Sequence, residues 1–131
     1  MTYTRNYVYT QVNKAVTEAF PTANVTGRYL AEPAKFPNVY IYELDYRPTI
    51  MAKQLKADDI QWESTFEVQI SSNKTSGAMN EAYAIMDVVR TAFSEMYYRQ
   101  IEQVPMDETT KYHIVGQFRR VVGGGDVAPT I

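Results

Sequence analysis

The chain has 131 residues, 45% hydrophobic and 21% charged, with a net charge of −2 from 13 basic and 15 acidic side chains. That is the make-up of one globular domain able to fold without staples. It has no cysteine, which excludes disulfides, thiolate metal sites and cysteine nucleophiles and fits a reducing compartment. The basic excess that phosphate neutralisation needs is missing, and no apolar run reaches the roughly 20 residues of a membrane helix. No apolar signal-peptide core follows Met1–Arg5, so the expected location is the cytoplasm of the cell that makes the chain.

From Thr4 to Phe20 the apolar residues Val8, Val12, Ala15, Val16 and Ala19 keep the spacing of one helix face. Thr2 or Thr4 can cap its start, and Pro21 ends it. Asn24 to Tyr29 is a short strand interrupted by Gly27, and Pro33 and Pro37 then bracket Phe36 in an extended stretch. Asn38 to Tyr46 is β-branched and aromatic throughout and reads as a strand. Val39 and Ile41 are expected on one face, and Tyr40, Tyr42, Leu44 and Tyr46 on the other. With both faces covered, this is a central strand.

Arg47 to Ile60 has no clean period and reads as a long connection of a kind that is usually functional or mobile. Trp62, Ser64, Phe66, Val68 and Ile70 then alternate with Glu63, Thr65, Glu67 and Gln69, the pattern of a strand with one buried and one wet face. Ser71 to Gly77 is a turn rich in capping side chains, expected to cap a second helix. That helix carries Ala82, Ile85, Met86, Val89, Phe93 and Met96 on one stripe, which must lie across a sheet. Tyr97 to Val104 is a strand ended by Pro105, and Tyr112 to Val122 is the last strand. Gly123-Gly124-Gly125 leads into a tail expected to be mobile in the free protein. The expectation is therefore an α+β fold over residues 1–122, with residues 123–131 as a glycine-hinged tail. Its sheet is mainly antiparallel, of about four to five strands, with both helices packed on one face.

Groups able to carry catalysis are few. His113 is the only histidine and sits inside the last strand, where an ordinary strand role suffices. One histidine and no cysteine cannot build a histidine-rich zinc site from a single chain. Asp58-Asp59 could hold magnesium with help from another subunit, but solvated loop charges account for the pair better. Asp107-Glu108 are adjacent, so their side chains point apart. Glu43 and Asp45 share a strand face, with nothing to mark them as an acid pair. Gly123-Gly124-Gly125 lacks the helix and Lys-Ser/Thr of a phosphate loop. No enzyme activity, metal or cofactor is expected. Eleven tyrosines suit half-buried sheet faces and subunit contacts.

Several segments together resemble the lambda-like tail terminator, or tail completion, proteins of long-tailed bacteriophages. They are the first helix ending in Ala19-Phe20-Pro21, then Pro33-x-x-Phe36-Pro37-x-Val39, followed by Val68-x-Ile70-x-Ser72-Asn73-Lys74-Thr75-Ser76-Gly77 leading into Ala84-Ile85-Met86. The last is Tyr112-x-Ile114-Val115-x-x-Phe118-Arg119-x-Val121-Val122. They reach from about residue 7 to residue 122. The resemblance implies a virion protein, assembled in the host cytoplasm, whose copies form a hexameric ring. Such a ring caps the tail tube, stops its polymerisation and joins the tail to the head–tail connector in the neck. DNA passes through the lumen without specific binding, and no membrane is involved. The contact segments expected are the central loop and the tail: Arg47, Pro48, Ile50, Met51, Lys53, Leu55, Asp58, Asp59, Val127 and Ile131. A head-closure or neck adaptor of the same virion is the nearest alternative. A small enzyme and a single-stranded nucleic-acid binder using the tyrosines for stacking are more distant ones.

Overall fold

A computed structural model describes residues 5–28, 35–48, 62–108 and 111–122. The elements run α1 (Arg5–Ala19), β1 (Asn24–Thr26), β2 (Asn38–Pro48), β3 (Trp62–Ser72), α2 (Ala78–Glu95), β4 (Arg99–Asp107) and β5 (Tyr112–Val122). The strands form one five-stranded sheet in the order β1-β2-β3-β5-β4. Only β1 and β2 pair in parallel, and the other neighbours are antiparallel. Both helices pack on one face, α1 over β1 and β2 and α2 over β3, β5 and β4. The expectation of an α+β fold with a mainly antiparallel sheet and both helices on one face holds.

The helices form for the reasons their spacing suggests. In α1, Val8, Val12 and Val16 recur every four residues and are buried against the sheet and α2. In α2 the buried stripe is Ala82, Ile85, Met86, Val89, Ala92 and Phe93. The start of α2 departs from the sequence reading. Its N-cap is Gly77, left-handed at φ 85°, with no side-chain cap. The nearby hydroxyl acts otherwise: Ser72 donates to Glu81 Oε1 at 2.7 Å, and Lys74 pairs with Glu81 Oε2 at 3.0 Å. These tie the end of β3 to the first turn of α2 and place an acidic side chain at the positive end of the helix dipole.

Beneath α2 lies an aromatic core. Phe93 stacks on Phe118 with centroids 4.2 Å apart and planes 6° apart, and Phe66 and Tyr98 close around it edge-on or tilted. Tyr98 is buried, and its hydroxyl shares a 2.7 Å hydrogen bond with that of buried Ser64. A polar group taken from water is thereby satisfied.

Two strands are irregular. A bulge between Glu43 and Asp45 shifts β2 by one residue at Leu44. Tyr46 therefore pairs with Ser64 on the helix-side face, and not beside Tyr40 and Tyr42 as the alternation suggests. A second shift falls between Gln100 and Glu102 in β4. Nor does β4 end at Pro105; it continues to Asp107. The strand is outermost, so a residue without an N–H is tolerated there. Arg90 of α2 holds this edge by donating to Gln100 Oε1 at 2.8 Å and to Gln103 Oε1 at 2.6 Å.

Candidate functional site

The sheet face away from the helices is a polar ladder with aromatic and aliphatic patches. Tyr40 and Tyr42 lie along β2 with rings stacked at 4.7 Å. Across β3 and β5, Arg119 Nε donates to Thr65 Oγ1 at 3.2 Å and lies 3.3 Å from Glu63 Oε1. Arg47 reaches the same Glu63 oxygen at 3.6 Å. Gln117 donates to Glu67 Oε1 at 3.1 Å, and Gln69 to Glu67 Oε2 at 3.2 Å. This face, expected to be wet, is partly covered: Thr65 and Ser71 are buried.

At one end of the ladder three residues form a relay. Ser71 Oγ lies 2.6 Å from His113 Nδ1, and His113 Nε2 lies 3.2 Å from Glu108 Oε1. A carboxylate only accepts, so Nε2 carries the ring proton and Nδ1 accepts from the Ser71 hydroxyl. Burial holds the His113 imidazole below its usual range, against the opposing pull of Glu108, while Lys111 adds to the lowering. Serine, imidazole and carboxylate are the parts of a hydrolytic triad. Here, however, Ser71 is 4% exposed, its cross-strand neighbours being Asn38 and His113, and an electrophile has no approach to Oγ. The relay acts as a clamp from β3 to the segment after β4.

The bulge in β2 shapes a second feature. Glu43 pairs with Phe66 on the helix-side face, whereas Asp45 pairs with Thr65 on the other, so the two do not share a face as the alternation suggests. Asp45 Oδ1 is buried without a hydrogen bond among the described residues. Glu43 lines a cleft of 370 Å³ together with Arg5, Tyr9, Ile41, Tyr42 and Phe66. Burial foremost, and then the negative charge of Asp45, pushes the Glu43 carboxyl from 4.5 up to about 7. The folded form therefore binds this proton more tightly than the unfolded chain. The contribution to stability is complete below pH 4.5 and is lost as pH rises towards 7. With the group partly solvated, the loss is discounted to about 1–2 kcal/mol. Glu43→Gln is expected to remove it, so that the stability difference between variant and wild type grows from pH 4.5 to pH 7.5. Chemical denaturation across that range reads this, and a difference independent of pH would contradict it.

The third feature is exposed apolar surface. On the outermost strand β4, Ile101, Val104 and Met106 are 36%, 41% and 48% exposed, and Val121 of neighbouring β5 is 50% exposed. Tyr97, between α2 and β4, is 82% exposed. Of the expected contact residues, Arg47 and Pro48 are exposed at the end of β2. Ile50, Met51, Lys53, Leu55, Asp58, Asp59, Val127 and Ile131 lie outside the described residues. The sequence reading missed Tyr97, the Glu43 cleft and the Ser71–His113–Glu108 relay. The one available signal was the lack of a Gly or Pro directly after Met96, where the helix ends.

The fold and these features define a small α+β domain with a mainly antiparallel sheet. No family model matches the chain, and no curated protein shows significant similarity to it.

Proposed function

We propose that this chain is a structural subunit of a long-tailed bacteriophage virion, a tail terminator whose copies close into a ring on the end of the tail tube. The observation that carries the reading is the rim of β4, where Ile101, Val104 and Met106 are exposed to solvent. Exposed aliphatic side chains on an edge strand mark a protein-contact surface. The sheet has unlike edges on opposite flanks, β1 and β4. A subunit with two unlike surfaces joins its neighbour head to tail and closes by rotation. The resemblance to tail terminators implies hexameric closure, with tail tube protein on one side, the neck connector on the other, and DNA passing through without specific contacts.

The test mixes the full chain with purified tail tubes and with portal-bearing heads, and reads sedimentation, native mass and electron micrographs. The expected result is a hexameric ring on tube ends, with tube growth halted. Binding to heads alone would replace the reading with that of a neck adaptor. A chain that stays monomeric and binds neither would end it.

A further inference from the structure

The conformation of Tyr97 stands out against everything around it. Helix α2 ends in a Schellman motif: Tyr98 N–H donates to Phe93 O at 2.9 Å, and Tyr97 N–H to Ser94 O at 3.0 Å. The motif needs a left-handed residue at position 97, which is ordinarily glycine because a Cβ is strained there. Tyr97 occupies it at φ 66°, the only non-glycine residue with positive φ among the described residues. Among the described residues the core does not repay that strain, because the side chain is 82% exposed. Its neighbour Tyr98 makes the expected hydrophobic contact, packing on Phe93 at 5.4 Å. A strained, solvated aromatic that the core does not use is the kind of outlier that points to a contact outside the chain.

The side chain is also positioned in advance. The Arg120 guanidinium lies over the Tyr97 ring, 5.8 Å from its centroid, and donates through Nη1 to Met96 O at 3.4 Å. Tyrosine and arginine together are the typical anchors of an interface.

A receptor of matching chemistry lies on the other flank of the same molecule. The row Glu43, Phe66, Phe118, Gln100 runs straight across the sheet from β2 to β4. Glu43 therefore lies about 14 Å, three strand spacings, from the β4 side where Tyr97 emerges. Its cleft measures 370 Å³, with Tyr9, Ile41, Tyr42 and Phe66 as walls for a ring and Glu43 as an acceptor for a hydroxyl. Asp45 adds negative charge beside Glu43, while Arg99 and Arg120 flank Tyr97 in sequence and space. Among the described residues, Arg5 is the one basic group in the lining.

We propose that the Tyr97 ring of one copy seats in the Glu43 cleft of the next, with Arg120 drawn towards the carboxylates around the bulge. Donor and receptor are different surfaces on opposite flanks, so the contact is head to tail and propagates from copy to copy. It rests on the ring reading only in requiring a second copy of the chain.

Two variants test it in the full chain. Tyr97→Gly places in the Schellman motif the residue it prefers, so thermal stability is expected to stay level or rise while self-association weakens at least about tenfold. Gly27→Phe fills the cleft from its rim. Among the described residues, the nearest atoms to a Cβ at Gly27 are Tyr9 Cε2 at 3.6 Å and Ile41 O at 3.8 Å, both ordinary contacts, and the thermal midpoint of the variant checks that it folds. Each variant alone is expected to be monomeric by native mass and sedimentation up to about 100 μM. An equimolar mixture is expected to form heterodimers and nothing larger, since it has one intact junction. Association of either variant at wild-type strength, or a mixture that stays monomeric, would overturn the contact. Rings persisting in both variants would do so while leaving the ring reading standing. Wild-type dimers that depend on Tyr97 but never close would keep the contact and remove the ring.

Discussion

Phe93→Ala is expected to lower the free energy of unfolding by about 3–5 kcal/mol, a large part of what a domain of this size has available. Phe93 is fully buried and is the residue on which the aromatic cluster converges. It stacks on Phe118 at 4.2 Å, meets Phe66 at 5.9 Å and Tyr98 at 5.4 Å, and joins α2 to β3 and β5. Truncation forfeits the transfer energy of the ring and leaves a cavity. The surrounding rings cannot fill that cavity, because Tyr98 is pinned by its 2.7 Å bond to Ser64. Urea denaturation should show a lower midpoint with an unchanged slope, and exposed Ser94→Ala on the same helix supplies the control. A loss below about 1 kcal/mol would mean that the cluster is not the centre of the core.

Gly116→Val is expected to cost about 1–3 kcal/mol by the opposite mechanism, overpacking. Gly116 is buried in β5 on the helix-side face, directly under α2. A Cβ there would sit 2.9 Å from Met86 Cε and 3.1 Å from both Met86 Sδ and Gln100 Nε2. Real atoms do not approach so closely, so Met86 must move, and Met86 is itself fully buried. The cause can be isolated by combining the substitution with Met86→Ala. The double variant should be more stable than the sum of the two single losses implies, since each change relieves the other. Strict additivity in denaturation would show that the clash is not with Met86.

Much of this architecture is legible in the residues because it rests on short-range periodicity. Phe66, Val68 and Ile70 alternate with Glu67 and Gln69, and the stripe from Ala82 to Phe93 keeps helical spacing, so β3 and α2 read directly. The errors come where one residue breaks the period. The bulge at Leu44 reverses Tyr46, and nothing local in Tyr42-Glu43-Leu44-Asp45 announces it. Pro105 looks like a stop unless the strand is known to be outermost, which only the β4–β5 pairing decides. The surface features are less legible still, because their parts are far apart in the chain. Ser71 and His113 are 42 residues apart, and the Glu43 cleft takes its lining from α1, β2 and β3. Tyr97 is invisible for another reason. In sequence it reads as the first residue of a β-rich segment, and its left-handed backbone follows from how α2 terminates.

The rim of β4 carries a further consequence through Pro105 and the register shift after Gln100. An outermost strand with aliphatic side chains is a template on which like chains can stack without limit, as in amyloid. Here the proline withholds a donor and the extra residue kinks the row, so a stacking copy meets broken hydrogen-bond spacing within a few residues. The same nine residues can therefore greet a specific neighbour through their side chains while denying a growing fibril a continuous backbone to copy.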